Sequence, residues 1–482
     1  MRVFVTGATG FLGRALCLRL LGGGHTVVAW ARDQGRARDL LGGEVELRGG
    51  DAAAMAAAID GVDVVVHLAG EPVLPGRWTA ARKKALTDSR VGLTTQVVAA
   101  IGALPAARRP RALLSASAVG FYGDRGDARL DEQSDPGEGF LAELCVQWEA
   151  AARAVEAHGT RWIAPRIGVV LGEGGGALDS MLPAFQLGLG GPLGGGRQRW
   201  AWIHLDDLLD ALLWLIDQPD ARGPYNLTAP EPATMAAFAA ALGAALGRPA
   251  VLPAPAPLLR LALGEAADAL LHSQRAEPAR LLAGGFRFQH PTLGGALQAC
   301  LPAPGALDIQ PAGPAAGWPR SPHLEARRPR WRLAAAQELD FPIDVLQAFF
   351  TDPRNLGALT PAAAGLRTPG PIPPLGEGAA LVHQMKVGPV ALTWRGRFER
   401  WDPPRSFIDV QEAGPYRCWR HEHRLEALGP DRTRVVDEVW YAAPLGPLGA
   451  LAEHLFVNSQ LRAIFHFRRR ALARRFPSAE AP

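Results

Sequence analysis

Val5-Thr6-Gly7-Ala8-Thr9-Gly10-Phe11-Leu12-Gly13 decides the fold of the first half of this chain. It follows an apolar run, Val3 to Val5, and opens onto a helical pattern from Leu12 to Leu21. Glycines three residues apart between a strand and a helix answer three demands. A tight turn asks for φ > 0, a pyrophosphate has to approach bare backbone, and the helix must pack closely on the strand. The helix start then offers unpaired N–H groups and a positive dipole end to anionic phosphates. The stretch predicts a dinucleotide-binding turn.

The second strand speaks to which dinucleotide. Thr26 to Ala31 is apolar and ends at Arg32. An NAD-preferring site usually carries Asp or Glu there to hold the ribose 2′-hydroxyl, whereas Arg suits a 2′-phosphate, so NADP is expected ahead of NAD. Arg36 and Arg38 either assist or are solvated helix charges.

A chain of 482 residues is too long for one core and implies two or three domains. With 51 Lys and Arg against 47 Asp and Glu, the balance of +4 is modest, and no nucleic-acid partner is expected. Cys17, Cys145, Cys300 and Cys418 are scattered, with neither C-x-x-C spacing nor a disulfide framework. The first residues run straight into a core strand, and no apolar stretch reaches eighteen residues. A cytoplasmic protein without membrane insertion is expected; oligomeric state is open.

From residue 1 to about 172, strand candidates at 2–6, 26–31, 44–48, 62–69, 112–119 and 161–171 alternate with helical patterns. That order predicts an α/β, doubly wound parallel sheet of the Rossmann type. Residues from about 173 to 302 are glycine-rich loops and Ala/Leu-rich helices, expected to cap the sheet and complete a first domain, 1–302. The stretch 303–327 is rich in Pro, Ala and Gly and reads as a linker. Beyond it, in a second domain 328–482, the period falls to two. Trp394, Gly396 and Phe398 alternate with charges, as do Trp419, His421, His423 and Leu425. A helical segment (343–350) precedes these strands and a long amphipathic one (about 446–475) follows. An α+β antiparallel sheet gripping a C-terminal helix around an apolar cavity fits that order.

With the glycine turn, Val66-His67-Leu68-Ala69-Gly70, Ser115-Ala116-Ser117-Ala118-Val119-Gly120-Phe121-Tyr122-Gly123 and Trp202-Ile203-His204-Leu205-Asp206-Asp207 in order, the first 300 residues resemble an extended short-chain dehydrogenase/reductase. Gly70-Glu71-Pro72, Arg77-Trp78, Asp88-Ser89-Arg90 and Trp148-Glu149-Ala150-Ala151 narrow the resemblance to an atypical, nucleoside-diphosphate-sugar epimerase-like subgroup. The resemblance implies cofactor contacts at Gly7, Thr9, Gly10, Phe11, Leu12, Gly13, Arg32, Leu68, Ala69 and Gly70.

The superfamily's Tyr-x-x-x-Lys pair, in which Lys lowers the Tyr pKa for proton transfer, falls on Leu141 and Cys145 when counted back from Trp148-Glu149. The helix Asn of its proton relay falls on Arg90. Cys for Lys and Arg for Asn are usual in the atypical subgroup. Ser117 best matches the upstream catalytic hydroxyl, although a stricter spacing from Gly123 selects Ala118. Tyr122, just past the fifth strand, is either a substitute proton donor or a structural aromatic. Arg90 either polarises a carbonyl or pairs with a neighbour, and Glu71 is a further acid. Ser117, Tyr122 and Arg90 are the catalytic candidates. Cys145 reads as a small buried hydrophobe, and His204 and Asp206 as structural.

Residues 329–476, through Phe350-Thr351-Asp352-Pro353-Arg354-Asn355-Leu356 and Leu359-Thr360-Pro361, resemble the START-like polyketide cyclase/lipid-transfer (helix-grip) superfamily. That resemblance implies a cavity for an apolar or aromatic small molecule. His421 and His423 share a strand face, but without an evident third ligand no metal is expected. The combined expectation is an NADP-dependent oxidoreductase or epimerase-like enzyme with a non-standard proton donor and a fused ligand-binding domain. The alternatives are an NADP sensor without turnover and a ligand carrier regulated by its first domain.

Overall fold

The computed structural model describes residues 1–74, 76–302, 307–387 and 390–478. The chain divides into two compact units: Met1–Leu20, Gly24–Gln34 and Val45–Cys300 form the first, and Leu21–Gly23, Gly35–Glu44 and Leu301–Pro482 the second.

In the first unit, short valine-rich runs become β1 (Arg2–Thr6), β2 (Thr26–Trp30), β3 (Glu46–Arg48), β4 (Val64–His67), β5 (Ala112–Ser115), β6 (Arg161–Ile167) and β7 (Gly223–Leu227). Their spatial order is β7-β6-β5-β4-β1-β2-β3, with every pair parallel. Such strands are covered on both faces, which is why β4 and β5 are buried along their whole length. Phe4, Val65, Leu113 and Trp162 of the sheet pack with Ile59 and Ile101. The chain runs outward from β1 to β3 and returns on the other side at β4. The strand order therefore reverses between β1 and β4, where open sheets of this kind bind ligands beyond the strands' carboxyl ends.

Helix α1 (Phe11–Gly22) follows β1, α2 (Phe140–Arg153) precedes β6, and α3 (Leu205–Asp217) precedes β7. The expected strand 112–119 stops at Ser115, and Ser117–Ala118 pairs separately with Arg166 and Ile167. The β7 strand escapes a sequence reading because Pro224 sits inside it; as an edge strand it can spare the amide that proline lacks.

The expected linker 303–327 is corrected in part. Residues 303–306 lie outside the described residues, but Leu307–Pro311 is a strand paired antiparallel with Trp331–Leu339, and Pro322–Arg327 is a helix capped by Ser321. Leu307 drops into the second unit's core, enough alternation to recruit a proline-rich run to a sheet edge.

The second unit is an antiparallel sheet of β8 (Leu307–Pro311), β9 (Trp331–Leu339), β10 (Ala380–Val387), β11 (Val390–Asp402), β12 (Ser406–Ala413), β13 (Cys418–Gly429) and β14 (Arg432–Ala442). The order is β8-β9-β14-β13-β12-β11-β10. Helix α4 (Asn458–Arg475) lays Leu461 and Phe465 against Leu333, Trp419, Val439 and Tyr441. The single helix expected over 446–475 is interrupted by a π turn at Glu453–Val457. Glu453 is fully buried, and its carboxylate accepts from Arg330 Nε and Trp331 Nε1, both at 2.9 Å; a side chain held inward this way accompanies the widened turn. Among the described residues no helix is long and apolar enough to cross a membrane.

Candidate functional site

The three glycines of the turn differ in what they avoid. Gly7 has φ 71°, and a Cβ there would lie 2.7 Å from the Ala69 nitrogen. A Cβ at Gly13 would run into the Gly7 carbonyl oxygen. Both positions are thus glycine for internal reasons. At Gly10 the neighbour a Cβ would meet is the Gly7 oxygen at 3.2 Å, and Gly10 N–H donates to that oxygen at 2.9 Å. That contact is tighter than a Cβ ordinarily makes, though milder than those at Gly7 and Gly13. Bare backbone beside the first turn of α1, whose N–H groups lack partners one turn earlier, suits a pyrophosphate.

A buried chain of hydrogen bonds ties the end of β4 to this turn. Thr94 donates its hydroxyl proton to the Arg90 carbonyl at 2.7 Å and accepts from Trp148 Nε1 at 2.9 Å. His67 Nε2, 3.0 Å from the same oxygen, must therefore be the protonated nitrogen, and Nδ1 accepts from the Thr6 hydroxyl at 2.6 Å. Burial pushes the His67 pKa down to about 4, so the ring is neutral. This chain fixes Leu68, Ala69 and Gly70 beside Gly7.

Arg32 follows β2 with a side chain 94% exposed, and its nearest carboxylate is Glu71 at 3.8 Å. Glu71 also faces Arg82 at 3.7 Å, so the expected acid is held between two cations. A Cβ on Gly70 would stand 3.2 Å from Arg90 Cζ. The Arg90 guanidinium lies over the Trp148 ring at 5.3 Å, and burial lowers its pKa. Arg32, Gly70, Glu71 and Arg90 thus gather at the carboxyl ends of β2 and β4.

Ser117 and Tyr122 are not beside them as open proton donors. Ser117 is 3% exposed and Tyr122 wholly buried. The Ser117 hydroxyl donates to Glu149 Oε1 at 2.6 Å, and Arg166 grips both oxygens of Glu149, at 2.8 and 2.9 Å. Arg166 Nη1 donates to the Tyr122 hydroxyl at 3.0 Å, and that hydroxyl lies 2.7 Å from Asn226 Oδ1 and 2.8 Å from the Asp131 carbonyl. Burial raises the Tyr122 pKa. The physical reason is Arg166, a cation inside β6 that has to be paired and hydrogen-bonded in the interior. A charged residue inside a strand buried along nearly its whole length was the available signal.

Leu141, Cys145 and Glu149 follow one another at i, i+4 and i+8 along α2. Cys145 is buried, its Sγ 3.8 Å from the Ala118 carbonyl, and burial raises its pKa to about 11. His204 Nδ1 accepts from the Asp206 amide at 3.2 Å as the N-cap of α3. Asp207 accepts from the amides of Gln289 and His290 at 2.6 and 3.0 Å. The Trp202–Asp207 run thereby fixes local fold.

In the second unit a cavity of about 250 Å³ is lined mainly by apolar and aromatic groups, among them Trp394, Trp419 and Phe465. Asp409, His421 and His423 form part of its wall. Strand register brings them together: Asp409 of β12 lies opposite His421 of β13, and Asp437 of β14 opposite His423. Asp409 is thus the third donor that the sequence did not reveal, since register across strands is set by tertiary pairing. Although burial alone would raise it, Arg468 and the two imidazoles hold the Asp437 carboxyl well below the usual range.

These sites can be set beside known proteins. An epimerase family protein of Mycobacterium bovis is 41% identical over 304 residues, spanning 63% of this chain and 98% of the relative. The chain belongs to the NAD-dependent epimerase/dehydratase family. The family's model matches residues 3–228, and a domain of unknown function, DUF1731, matches 254–300. The epimerase family protein SDR39U1 of Homo sapiens is 39% identical over 302 residues, or 62% of this chain and 99% of the relative. The crystal structure of human SDR39U1 with NADPH aligns at a TM-score of 0.56 and 37% identity, over 62% of this chain and 99% of that one.

Proposed function

We propose that the first unit of this epimerase-family protein binds NADP and serves an oxidoreductase or epimerase-like reaction without the Tyr-x-x-x-Lys pair. The observation that carries the reading is the exposed bare backbone at Gly10 beside the first turn of α1. Gly7, Thr9, Gly10, Phe11, Leu12 and Gly13 would hold the pyrophosphate, Leu68, Ala69 and Gly70 would flank the cofactor, and the exposed Arg32 would meet the 2′-phosphate. The cofactor, when bound, supplies a hydride. The NADPH in the human SDR39U1 structure supports this choice. Of the catalytic candidates, Arg90 against Gly70 would lie beside the cofactor, whereas Ser117 and Tyr122 are engaged in the buried network of Glu149 and Arg166. The second unit, START-like by resemblance, would hold an apolar or aromatic small molecule in its cavity.

A second reading, an NADP-sensing module without turnover, is favoured by the burial of Ser117, Tyr122 and Cys145 together. Single-turnover oxidation of bound NADPH against a panel of carbonyl compounds separates the two. Oxidation with any of them supports the enzyme; tight NADPH binding with none oxidised supports the sensor.

A further inference from the structure

We propose that Asp409, His421 and His423 bind a divalent transition-metal ion of the zinc type in the wall of the second unit's cavity. The argument starts from where the protons are. Asp437 Oδ1 lies 3.1 Å from His421 Nε2 and 2.8 Å from His423 Nδ1. A carboxylate only accepts, so His421 Nε2 carries hydrogen, and His423 Nδ1 sits between the Asp437 acceptor and the Arg468 donor. Arg468 Nη2, 3.2 Å from His423 Nδ1, donates to Asp437 Oδ1 at 3.1 Å, while its Nε pairs with Oδ2 at 3.0 Å. In the neutral, metal-binding form of both rings the lone pairs are on His421 Nδ1 and His423 Nε2. These two atoms stand 3.8 and 3.5 Å from Asp409 Oδ1, itself an acceptor. Three ligand-type atoms thus face one another; without a metal, and against the opposing effect of burial, the flanking carboxylates raise the His423 pKa, and a proton held between His423 and Asp409 occupies the place a cation would take.

A divalent cation fits that arrangement in place of the proton. The donor atoms lie within 4.8 Å of one another. Tetrahedral zinc, with bonds near 2.0–2.1 Å, sets its ligands roughly 3.3 Å apart, so the carboxylate–imidazole distances close by a few tenths of an ångström. The outer contacts are those of a metal site as well: each ligating imidazole gives its second N–H to a buried carboxylate, and that carboxylate is held by Arg468.

Three protein ligands leave a fourth position, and Asp409, His421 and His423 line the cavity. Trp419, 8% exposed and lining the same cavity, leaves its Nε1–H without a hydrogen-bond partner among the described residues. A metal position and an orphan donor in one aromatic-walled cavity suit a carbonyl or phenol oxygen on an otherwise apolar molecule. The inference deepens the ligand-cavity reading of this unit and is independent of the cofactor reading of the first.

The test uses the full-length protein, stripped with a chelator, loaded with Zn²⁺ or Co²⁺, desalted and measured by elemental analysis and visible absorption. One ion per chain and the intense visible bands of tetrahedral Co²⁺ are expected. Asp409→Asn and His423→Ala should remove both signals, with circular dichroism unchanged as the check on folding; the isosteric Asp409→Asn decides if His423→Ala does not fold. Asp437→Asn should weaken Zn²⁺ about 10–100-fold. His204, Asp206 and His290 of the first unit form another cluster of donor atoms, so His290→Ala should leave the stoichiometry intact. Less than a tenth of an ion per chain overturns the proposal, as does retention in Asp409→Asn or loss in His290→Ala. Should an apolar ketone still bind the metal-free protein, the ligand cavity stands without its metal.

Discussion

Glu149 on helix α2 takes both prongs of Arg166 on strand β6, at 2.8 and 2.9 Å, with each side chain at most a tenth exposed. Removing one partner leaves the other charged and unpaired in the interior. Arg166→Met should therefore destabilise the first unit by about 3–5 kcal/mol, and Arg166→Met with Glu149→Leu should recover most of that loss. Urea unfolding followed by exchange mass spectrometry on peptides of β5 and β6 reads the first unit separately. A single variant within 1 kcal/mol of the parent would show the pair to be dispensable.

Cofactor preference follows from Arg32. One charge-assisted contact to a 2′-phosphate is worth on the order of 1.5–3 kcal/mol, so NADPH should bind at least about tenfold more tightly than NADH. Arg32→Asp should erase or reverse the difference. Calorimetric titration with both cofactors checks it, and equal affinities for the parent protein would refute the assignment.

The glycine turn yields a contrast rather than a single loss. Gly13→Ala forces a Cβ into the Gly7 carbonyl and should cost stability even without ligand. Gly10→Val crowds the Gly7 oxygen less severely, so it should cost less stability than Gly13→Ala, yet lose NADPH binding. Thermal unfolding and cofactor titration on both variants give the comparison. Undiminished binding by Gly10→Val would reduce residues 7–13 to a structural turn.

Cysteine chemistry should be silent in the folded protein. All four thiols are buried, and burial raises Cys145 to about 11 and Cys17 and Cys418 to about 12. At pH 8 a pKa near 11 leaves a thiolate fraction of about 10⁻³. A disulfide reagent should find no fast thiol before denaturation and four after it, and Cys145→Ala should spare whatever turnover exists. A rapidly labelled Cys145 would make the thiol the reactive group instead.

Neutral His67 links stability to pH. Its folded value near 4 lies below the ordinary 6.5, so between those values the unfolded chain binds a proton that the folded one does not. Stability is full above about 6.5 and falls as pH drops toward 4, by roughly 3 kcal/mol from this group. His67→Gln should lack this component, so the stability gap between variant and parent should narrow on acidification. A constant gap from pH 7 to 4.5 would contradict the buried neutral ring.

Sequence carried the elements whose determinants are local. The turn at 7–13, the apolar strands around it and the helix Ile343–Phe350 follow from periodicity and glycine spacing alone. It also placed Arg32 at the end of β2. Tyr122 and Ser117 were located by position along the chain, but their roles depend on Arg166 and Glu149, which are 44 and 32 residues away. Asp409 and Asp437 were invisible for a related reason: their meeting with His421 and His423 is a matter of cross-strand register. Leu307–Pro311 was hidden by composition, since a proline-rich run at a sheet edge resembles a tether.

The closed set formed by Ser117, Glu149, Arg166 and Tyr122 also has a lifetime. Shielded from bulk water by burial, its hydrogens should exchange slowly, through openings of β6 from α2. They form an internal clock whose slow tick reports how often this half of the chain comes apart.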